Sequence, residues 1–169
     1  MMRSLRTLRT ARLALPLLAA LAVAGCARDD ADVAGGAMSG GLTGGAGAGT
    51  LQEFQVTVGD RVFFDTDSTS LTPTSMQTLD RQAQWLLLYP RYTITIEGHA
   101  DERGTREYNI ALGGRRAAAV QSYLISRGVA ANRLQTISYG KERPVAVCDD
   151  ISCWSQNRRA VTVVNSAGV

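Results

Sequence analysis

The sequence of 169 residues is poor in the side chains on which many catalytic and metal sites depend. It contains a single histidine, His99, and three cysteines. A metal site built from repeated histidines is therefore excluded. We find no internal repeat and no motif of a catalytic nucleophile. The apolar stretch Leu13–Val23 is too short for a permanent membrane helix, which needs about 20 residues.

The sequence contains an excess of positive charge, and the position of the basic residues shows which part of the chain carries it. The formal net charge is +3, and four of the 18 basic residues, Arg3, Arg6, Arg9 and Arg12, lie near the start. No acidic residue precedes Cys26, so the rest of the chain has 14 basic and 15 acidic residues and a net charge of −1. The basic character belongs to the leader, and it gives no support to nucleic-acid binding.

Residues 1–25 have the organisation of a signal peptide. A basic start is followed by an apolar stretch and then by small residues. Val23-Ala24-Gly25-Cys26 resembles the lipobox of bacterial lipoproteins, in which the cysteine is lipid-modified and becomes the new N-terminus. The alternative is an ordinary secretory signal that happens to contain a cysteine. Several acyl chains on Cys26 would anchor the protein stably. An aspartate directly after the lipidated cysteine would resemble an inner-membrane retention signal, and because Ala27 occupies that position, the outer membrane is favoured.

Residues 26–50 have the composition of a flexible tether. Gly, Ala and Asp dominate this segment, and it shows no apolar periodicity. A random coil of about 25 residues reaches roughly 25 to 30 Å, which holds a folded domain clear of a lipid surface. The apolar fraction of 45% is sufficient for one packed core. We expect that core in a single domain, residues 51–169.

The pattern of apolar residues in this domain predicts four strands and two main helices. Strands are predicted at Val62–Phe64, Tyr92–Ile96, Leu134–Tyr139 and Ala160–Val164. The resulting order, β-α-β-α-β-β, predicts an α/β sandwich in which two main helices cover one face of a four-stranded mixed sheet.

Local signals predict where these elements begin and end. Phe54, Val56 and Val58 alternate with polar residues before the first strand, which ends at Asp65. The first helix starts at Thr72, as its cap, and Pro73, and it stops before Pro90. The second helix begins at Thr105 or Asn109, either of which can cap it, and it ends at Gly128.

Arg116 is out of place on the second helix. Leu112, Ala119 and Tyr123 define its apolar stripe, and Arg116 falls on that stripe four residues after Leu112. One interpretation is that the stem packs on the sheet while the guanidinium reaches water or pairs internally. The other is that Arg116 binds a ligand.

A long run of residues resembles the signature of the OmpA-like domain family. The run starts with Gly98-His99-Ala100-Asp101-Glu102-Arg103-Gly104-Thr105 and continues to Arg115-Arg116-Ala117. Further matching segments are Phe63–Ser68, Ile137–Pro144 and Asn157–Val161. The match covers nearly the whole domain, and it is closest to the peptidoglycan-associated lipoproteins of that family.

This resemblance implies non-covalent binding of peptidoglycan, chiefly through the diaminopimelate residue of its stem peptide. By position, Asp101 is similar to the family aspartate that contacts the ligand, and Arg116 to the arginine that holds a carboxylate. Other residues similar to binding residues of the family are Phe64, Asp65, Arg103, Leu112, Asn157 and Arg158. Diaminopimelate presents ammonium and carboxylate groups together, so an aspartate and a planar arginine fork suit it.

The resemblance also implies a cellular role. It predicts an outer-membrane lipoprotein that faces the periplasm, works in the Tol-Pal system with TolB as partner, and supports envelope constriction at division. One alternative is another OmpA-like wall anchor outside that system, such as a porin tail or a flagellar stator subunit. The other is a wall hydrolase.

His99, next to Asp101 and Glu102, raises the possibility of general acid-base chemistry. Against it stand the single histidine and a family that binds without cleaving. We therefore expect no enzyme, no cofactor and no metal site. His99 is instead expected to hold its loop by hydrogen bonds.

Cys148 and Cys153 are the two cysteines of the folded domain. In an oxidising compartment they predict a disulfide, with two free thiols as the alternative. The bridge would hold the segment that leads into Asn157 and Arg158. Trp154, beside it, is expected to cap the core rather than to form a platform for a sugar.

Overall fold

The computed structural model describes residues 47–165. The predicted signal peptide, the lipidation site Cys26 and residues 27–46 of the predicted tether lie outside the described residues. In the described part of the chain, no helix is both long enough and apolar enough to cross a membrane.

Residues 47–165 form a four-stranded sheet and four α-helices. The strands are β1 (Arg61–Phe63), β2 (Thr93–His99), β3 (Leu134–Gly140) and β4 (Arg159–Asn165). The helices are α1 (Leu51–Glu53), α2 (Pro73–Leu88), α3 (Arg106–Ser126) and α4 (Ile151–Asn157), with a π-helical turn at Phe54–Gly59 and a 3-10 turn at Ala131–Arg133. The strand order is β1-β4-β2-β3. Because β2 and β3 are parallel while β4 is antiparallel to both β1 and β2, the predicted mixed sheet is confirmed.

The two long helices pack on the same face of the sheet. Ile94 and Ile96 are two residues apart on β2, so their side chains point to one side. Both are fully buried, and they share one core with Leu86 of α2 and Val120 of α3. The predicted sandwich of one sheet and two main helices is therefore confirmed.

The predicted caps are found at both long helices. The Thr72 hydroxyl accepts a hydrogen bond from the Ser75 N–H at 3.1 Å. On α3 the cap is Thr105, whose hydroxyl accepts from the Tyr108 N–H at 3.2 Å. The chain leaves α3 through Gly128, whose φ of +96° lies in the left-handed region that glycine adopts without strain.

The start of the domain differs from the prediction. Phe54 and Val58 are buried while Val56, between them, is 76% exposed, because the backbone here is helical rather than extended. Residues four apart share a face in a strand and nearly do so in a helix, so the sequence pattern fitted both. Strand β1 is correspondingly short, and Phe64 is buried just beyond its end.

Gly49 and Glu53, at the start of the described residues, are held against the rest of the domain by hydrogen bonds around an aromatic cluster. The Glu53 carboxylate accepts hydrogen bonds from the Trp85 indole N–H and the Gly49 N–H, both at 2.7 Å. The Tyr92 hydroxyl donates to the Gly49 carbonyl at 2.7 Å, and the Tyr92 ring stacks on Trp85 with centroids 5.1 Å apart. Gly49 is thus fixed beside the start of β2.

Helix α3 contacts β2 through two glycines. A Cβ atom on Gly98 would lie 1.9 Å from the Gly113 carbonyl oxygen, and one on Gly113 would lie 2.5 Å from the Ser138 Oγ. The helix backbone therefore rests directly on the strand backbone. A Cβ on the adjacent Gly114 would have its nearest neighbour at 3.9 Å, in ordinary contact with Ser138.

We expect Gly113→Ala and Gly114→Ala to change stability in opposite directions. At position 113 the methyl group forces helix and strand apart, which costs about 3 kcal/mol. At position 114 it adds helix propensity without a clash and stabilises by about 0.5 to 1 kcal/mol. Urea unfolding of the two variants measures both values. Equal effects at the two positions would contradict the close contact between α3 and β2.

Candidate functional site

A cleft of about 320 Å³ opens where the end of β2, the start of α3 and the loop after β1 meet. Its walls are formed by Thr66, Asp67, Asp101, Arg103, Gly104, Tyr108, Asn109, Leu112 and Arg116. Four of the eight predicted binding residues thus lie together in one cleft. They are Asp101, Arg103, Leu112 and Arg116.

Arg116 is fully buried at the base of this cleft. Its Nε donates to the Ser68 carbonyl at 2.9 Å, its Nη1 to the His99 carbonyl at 2.8 Å, and its Nη2 to the Asp65 carbonyl at 3.1 Å. Side chains on a helix lean toward its N-terminus, so Arg116 reaches back to the end of β2. The interpretation of internal pairing is therefore confirmed.

The three internal hydrogen bonds of Arg116 do not use all of its N–H groups. A guanidinium carries five N–H groups, and three of them serve the carbonyls, so two have no partner among residues 47–165. Burial lowers the pKa of Arg116 to about 10, which keeps the group cationic at neutral pH. The base of the cleft therefore carries a fixed positive charge.

Asp101 lies in the wall of the cleft between two arginines. Its carboxylate accepts from Arg103 Nη2 at 2.7 Å and from Arg158 Nη1 at 3.3 Å. Burial acts to raise the pKa of Asp101, but the hydrogen bonds from Arg103 and Arg158 outweigh it, and the pKa lies below its ordinary value. Asp101 is ionised at neutral pH, and its charge is shared between the two guanidinium groups.

Helix α4, which the sequence analysis did not predict, supports the loop that follows β2. Its Trp154 lies under the Arg103 guanidinium, with 4.2 Å between the guanidinium carbon and the ring centroid, and its indole N–H donates to the Glu102 carboxylate. The prediction that Trp154 caps the core is therefore wrong. The predicted disulfide between Cys148 and Cys153 is confirmed and ties the start of α4 to the preceding loop.

The other four predicted residues lie outside the cleft. Phe64, Asp65 and Arg158 line a neighbouring cavity of about 380 Å³. Asn157 lines neither cavity. It is buried, and its side-chain oxygen accepts from the Val145 N–H at 2.9 Å. Asn157 therefore holds the backbone before α4.

Two cleft residues that the sequence analysis missed, Asp67 and Tyr108, face each other across the cleft. The Tyr108 hydroxyl donates a hydrogen bond to the Asp67 carboxylate. Asp67 has φ of +53°, and within residues 47–165 it is the only non-glycine residue in the left-handed region. Such strain costs roughly 1 to 3 kcal/mol and concentrates at functional sites. Tyr108 was detectable, because it shares one helix face with Leu112 and Arg116 at intervals of four residues.

His99 does not hold its loop through its side chain, so that prediction is wrong. The imidazole is 2% exposed, and neither ring nitrogen has a hydrogen-bond partner among the described residues. Burial, together with the positive charges of Arg159 and Arg143, lowers the pKa of His99 to about 4. It is the His99 carbonyl that takes part in the site, through Arg116.

We expect the protein to lose stability as the pH falls from 7 to 5, because of His99. The imidazole in the unfolded chain, with a pKa near 6.5, binds a proton in this range, whereas the buried one does not. Folding stability is therefore highest above pH 6.5 and falls by about 2 kcal/mol by pH 5. Chemical unfolding at both pH values should show that His99→Leu lacks this part of the loss. An unchanged loss in His99→Leu would disprove the assignment.

The sequence of residues 63–160 matches the model of the OmpA family, and the chain belongs to that family. It is 62% identical to the peptidoglycan-associated lipoprotein of Rhizobium meliloti, over 97% of this chain and 93% of that protein. The family resemblance found in the sequence is therefore confirmed.

Two solved structures show the same fold. The peptidoglycan-associated lipoprotein from Burkholderia pseudomallei matches with a TM-score of 0.63 and 42% identity, over 66% of this chain and 96% of that one. The C-terminal domain of Helicobacter pylori MotB matches with a TM-score of 0.59 and 27% identity, over 63% of this chain and 84% of that one.

Proposed function

We propose that this protein is a lipid-anchored tether that binds peptidoglycan without reacting with it. In this proposal residues 1–25 are removed, Cys26 carries the lipid in the outer membrane, residues 26–50 form the tether, and the domain of residues 51–169 binds in the periplasm. The ligand group in the cleft is the diaminopimelate residue of the stem peptide.

The observation that carries this proposal is the pairing of opposite charges in one cleft. Arg116 places a fixed positive charge at the base, and Asp67, whose carboxylate accepts a hydrogen bond from Tyr108, is exposed at the rim. The free end of diaminopimelate carries a carboxylate and an ammonium on the same carbon. A fixed guanidinium and an exposed carboxylate complement such a zwitterion, because charge-assisted hydrogen bonds form at both groups.

Asp101 has a supporting part in this arrangement. Its carboxylate already receives hydrogen bonds from Arg103 and Arg158, which hold it in place and take up its charge. It orients both arginines and offers the ligand ammonium a second, weaker acceptor. The family resemblance of Asp101 and the geometry around it both support its place in the binding site.

His99, the only histidine of the sequence, is not placed for acid-base catalysis in the cleft. His99 does not line the cleft, it is buried, and its low pKa keeps it neutral at pH 7. Within residues 47–165, no three His, Cys, Asp or Glu side chains are grouped to hold a metal ion. We infer that the cleft retains its ligand by charge and shape.

We place this binding activity in the Tol-Pal system, with TolB as the protein partner and envelope constriction at division as the process served. The identity of 62% to a peptidoglycan-associated lipoprotein over nearly the full length of both chains supports this placement. Co-purification of TolB with the full chain from cells tests it. Recovery of peptidoglycan but no TolB would favour a wall anchor outside that system.

We expect residues 47–169 to sediment with insoluble peptidoglycan, and Asp101→Asn and Arg116→Lys to bind about tenfold more weakly. Asp101→Asn removes the charge that holds Arg103 and Arg158 in place, and Arg116→Lys replaces the planar guanidinium by a smaller ammonium, while side-chain size or charge is conserved. The matched controls are Asp80→Asn and Arg127→Lys. They alter an Asp–Arg ion pair of 2.8 Å at the far end of α3 by the same chemistry.

Thermal unfolding must first show that all four variants are folded. Retention of the control variants in the pellet, together with loss of the cleft variants, locates binding in the cleft. If folded Asp101→Asn and Arg116→Lys sediment as the unaltered domain does, the cleft is not the binding site.

A further inference from the structure

A second cavity adjoins the cleft and differs from it in its lining. This cavity of about 380 Å³ lies between the end of β1, the cap of α2 and the last turn of α4. Arg158 forms its charged wall, and Thr72, Ser155 and Gln156 add neutral polar groups. Asp65 also lines the cavity and is exposed to solvent.

Arg158 is a buried cation with donors to spare. It is 7% exposed, its Nε donates to the Phe64 carbonyl at 3.1 Å, and its Nη1 donates to Asp101 at 3.3 Å. Its Nη2 has no hydrogen-bond partner among residues 47–165, although it carries two N–H groups. Because this edge of the guanidinium has no partner among the described residues, it is available to an anionic acceptor in the cavity.

Residues that line the cavity are hydrogen-bonded to residues that line the cleft. Asp101 lines the cleft and is bonded to Arg158, which lines the cavity. Asp65 lines the cavity, and its carbonyl is bonded to Arg116, which lines the cleft. Arg158 and Arg116 also donate to the consecutive carbonyls of Phe64 and Asp65, so the two guanidinium groups contact the same stretch of backbone.

We propose that the second cavity binds the free carboxylate of the glutamate that precedes diaminopimelate in the stem peptide. This inference rests on the proposed function. The glutamate is joined to diaminopimelate through its side-chain carboxyl, so its main-chain carboxylate remains free and lies one residue from the diamino acid. Arg158 holds this carboxylate through Nη2, and the cavity thereby distinguishes the free acid from its amide.

The charge of Asp65 should change the affinity for the free acid in a direction that can be measured. Its carboxylate is exposed in the wall of the cavity, where it repels a bound carboxylate. Removing its charge should therefore strengthen binding of the free acid. A role of Asp65 in attracting a ligand ammonium predicts the opposite.

The test is titration calorimetry of the full chain, purified in mild detergent, with two synthetic tripeptides. One is L-alanyl-γ-D-glutamyl-meso-diaminopimelate, and the other carries an amide in place of the free glutamate carboxylate. We expect the acid to bind about tenfold more tightly than the amide, because the amide cannot form a charged pair with Arg158. Asp65→Asn should tighten binding of the acid severalfold and leave the amide unchanged.

The outcomes separate the two proposals. Equal binding of acid and amide, or weaker binding of the acid by Asp65→Asn, overturns the second subsite while peptidoglycan binding stands. Failure of both tripeptides to bind overturns the proposed function itself. The comparison of two ligands on the unaltered protein does not depend on the folding of any variant.

Discussion

The structure of the site depends on one buried guanidinium. Arg116 donates to the carbonyls of Ser68, His99 and Asp65, which belong to the loop after β1 and to the end of β2. A buried cation is tolerated only when its donors are largely satisfied, so these segments must converge on it. The same contacts that satisfy the charge therefore shape the cleft. The geometry of the cleft and the proposed binding therefore depend on the same side chain.

The periodic parts of the sequence were sufficient to predict the fold. Strand β2 alternates cleanly, both long helices have threonine caps, and Gly128 ends α3. The predictions of secondary structure failed where the apolar pattern fits two periods or where the element is short. The segment from Phe54 to Val58 fits two periods, and α4 has seven mostly polar residues.

The candidate site was predictable in part. The family resemblance identified Asp101 and Arg116, and their meeting in one cleft required the structure, because a helix residue and a loop residue converge only through backbone geometry. Asp67 was missed because its left-handed conformation leaves no mark in the sequence pattern. Asn157 stays a prediction: the structure places it outside both cavities, where its side-chain oxygen accepts a hydrogen bond from the Val145 N–H.

The fixing of Gly49 beside Tyr92 has a mechanical consequence. Gly49 is held at the start of β2, and the cleft lies beyond its end, so the two points are separated by about 20 Å along a seven-residue strand. A pull between them is directed along β2, which pairs with β3 on one side and with β4 on the other. The ladder hydrogen bonds lie across this direction and are loaded together in shear rather than opened one after another. If the proposed anchor and the proposed ligand pull at these two points, the domain is loaded in the orientation in which a sheet resists extension best.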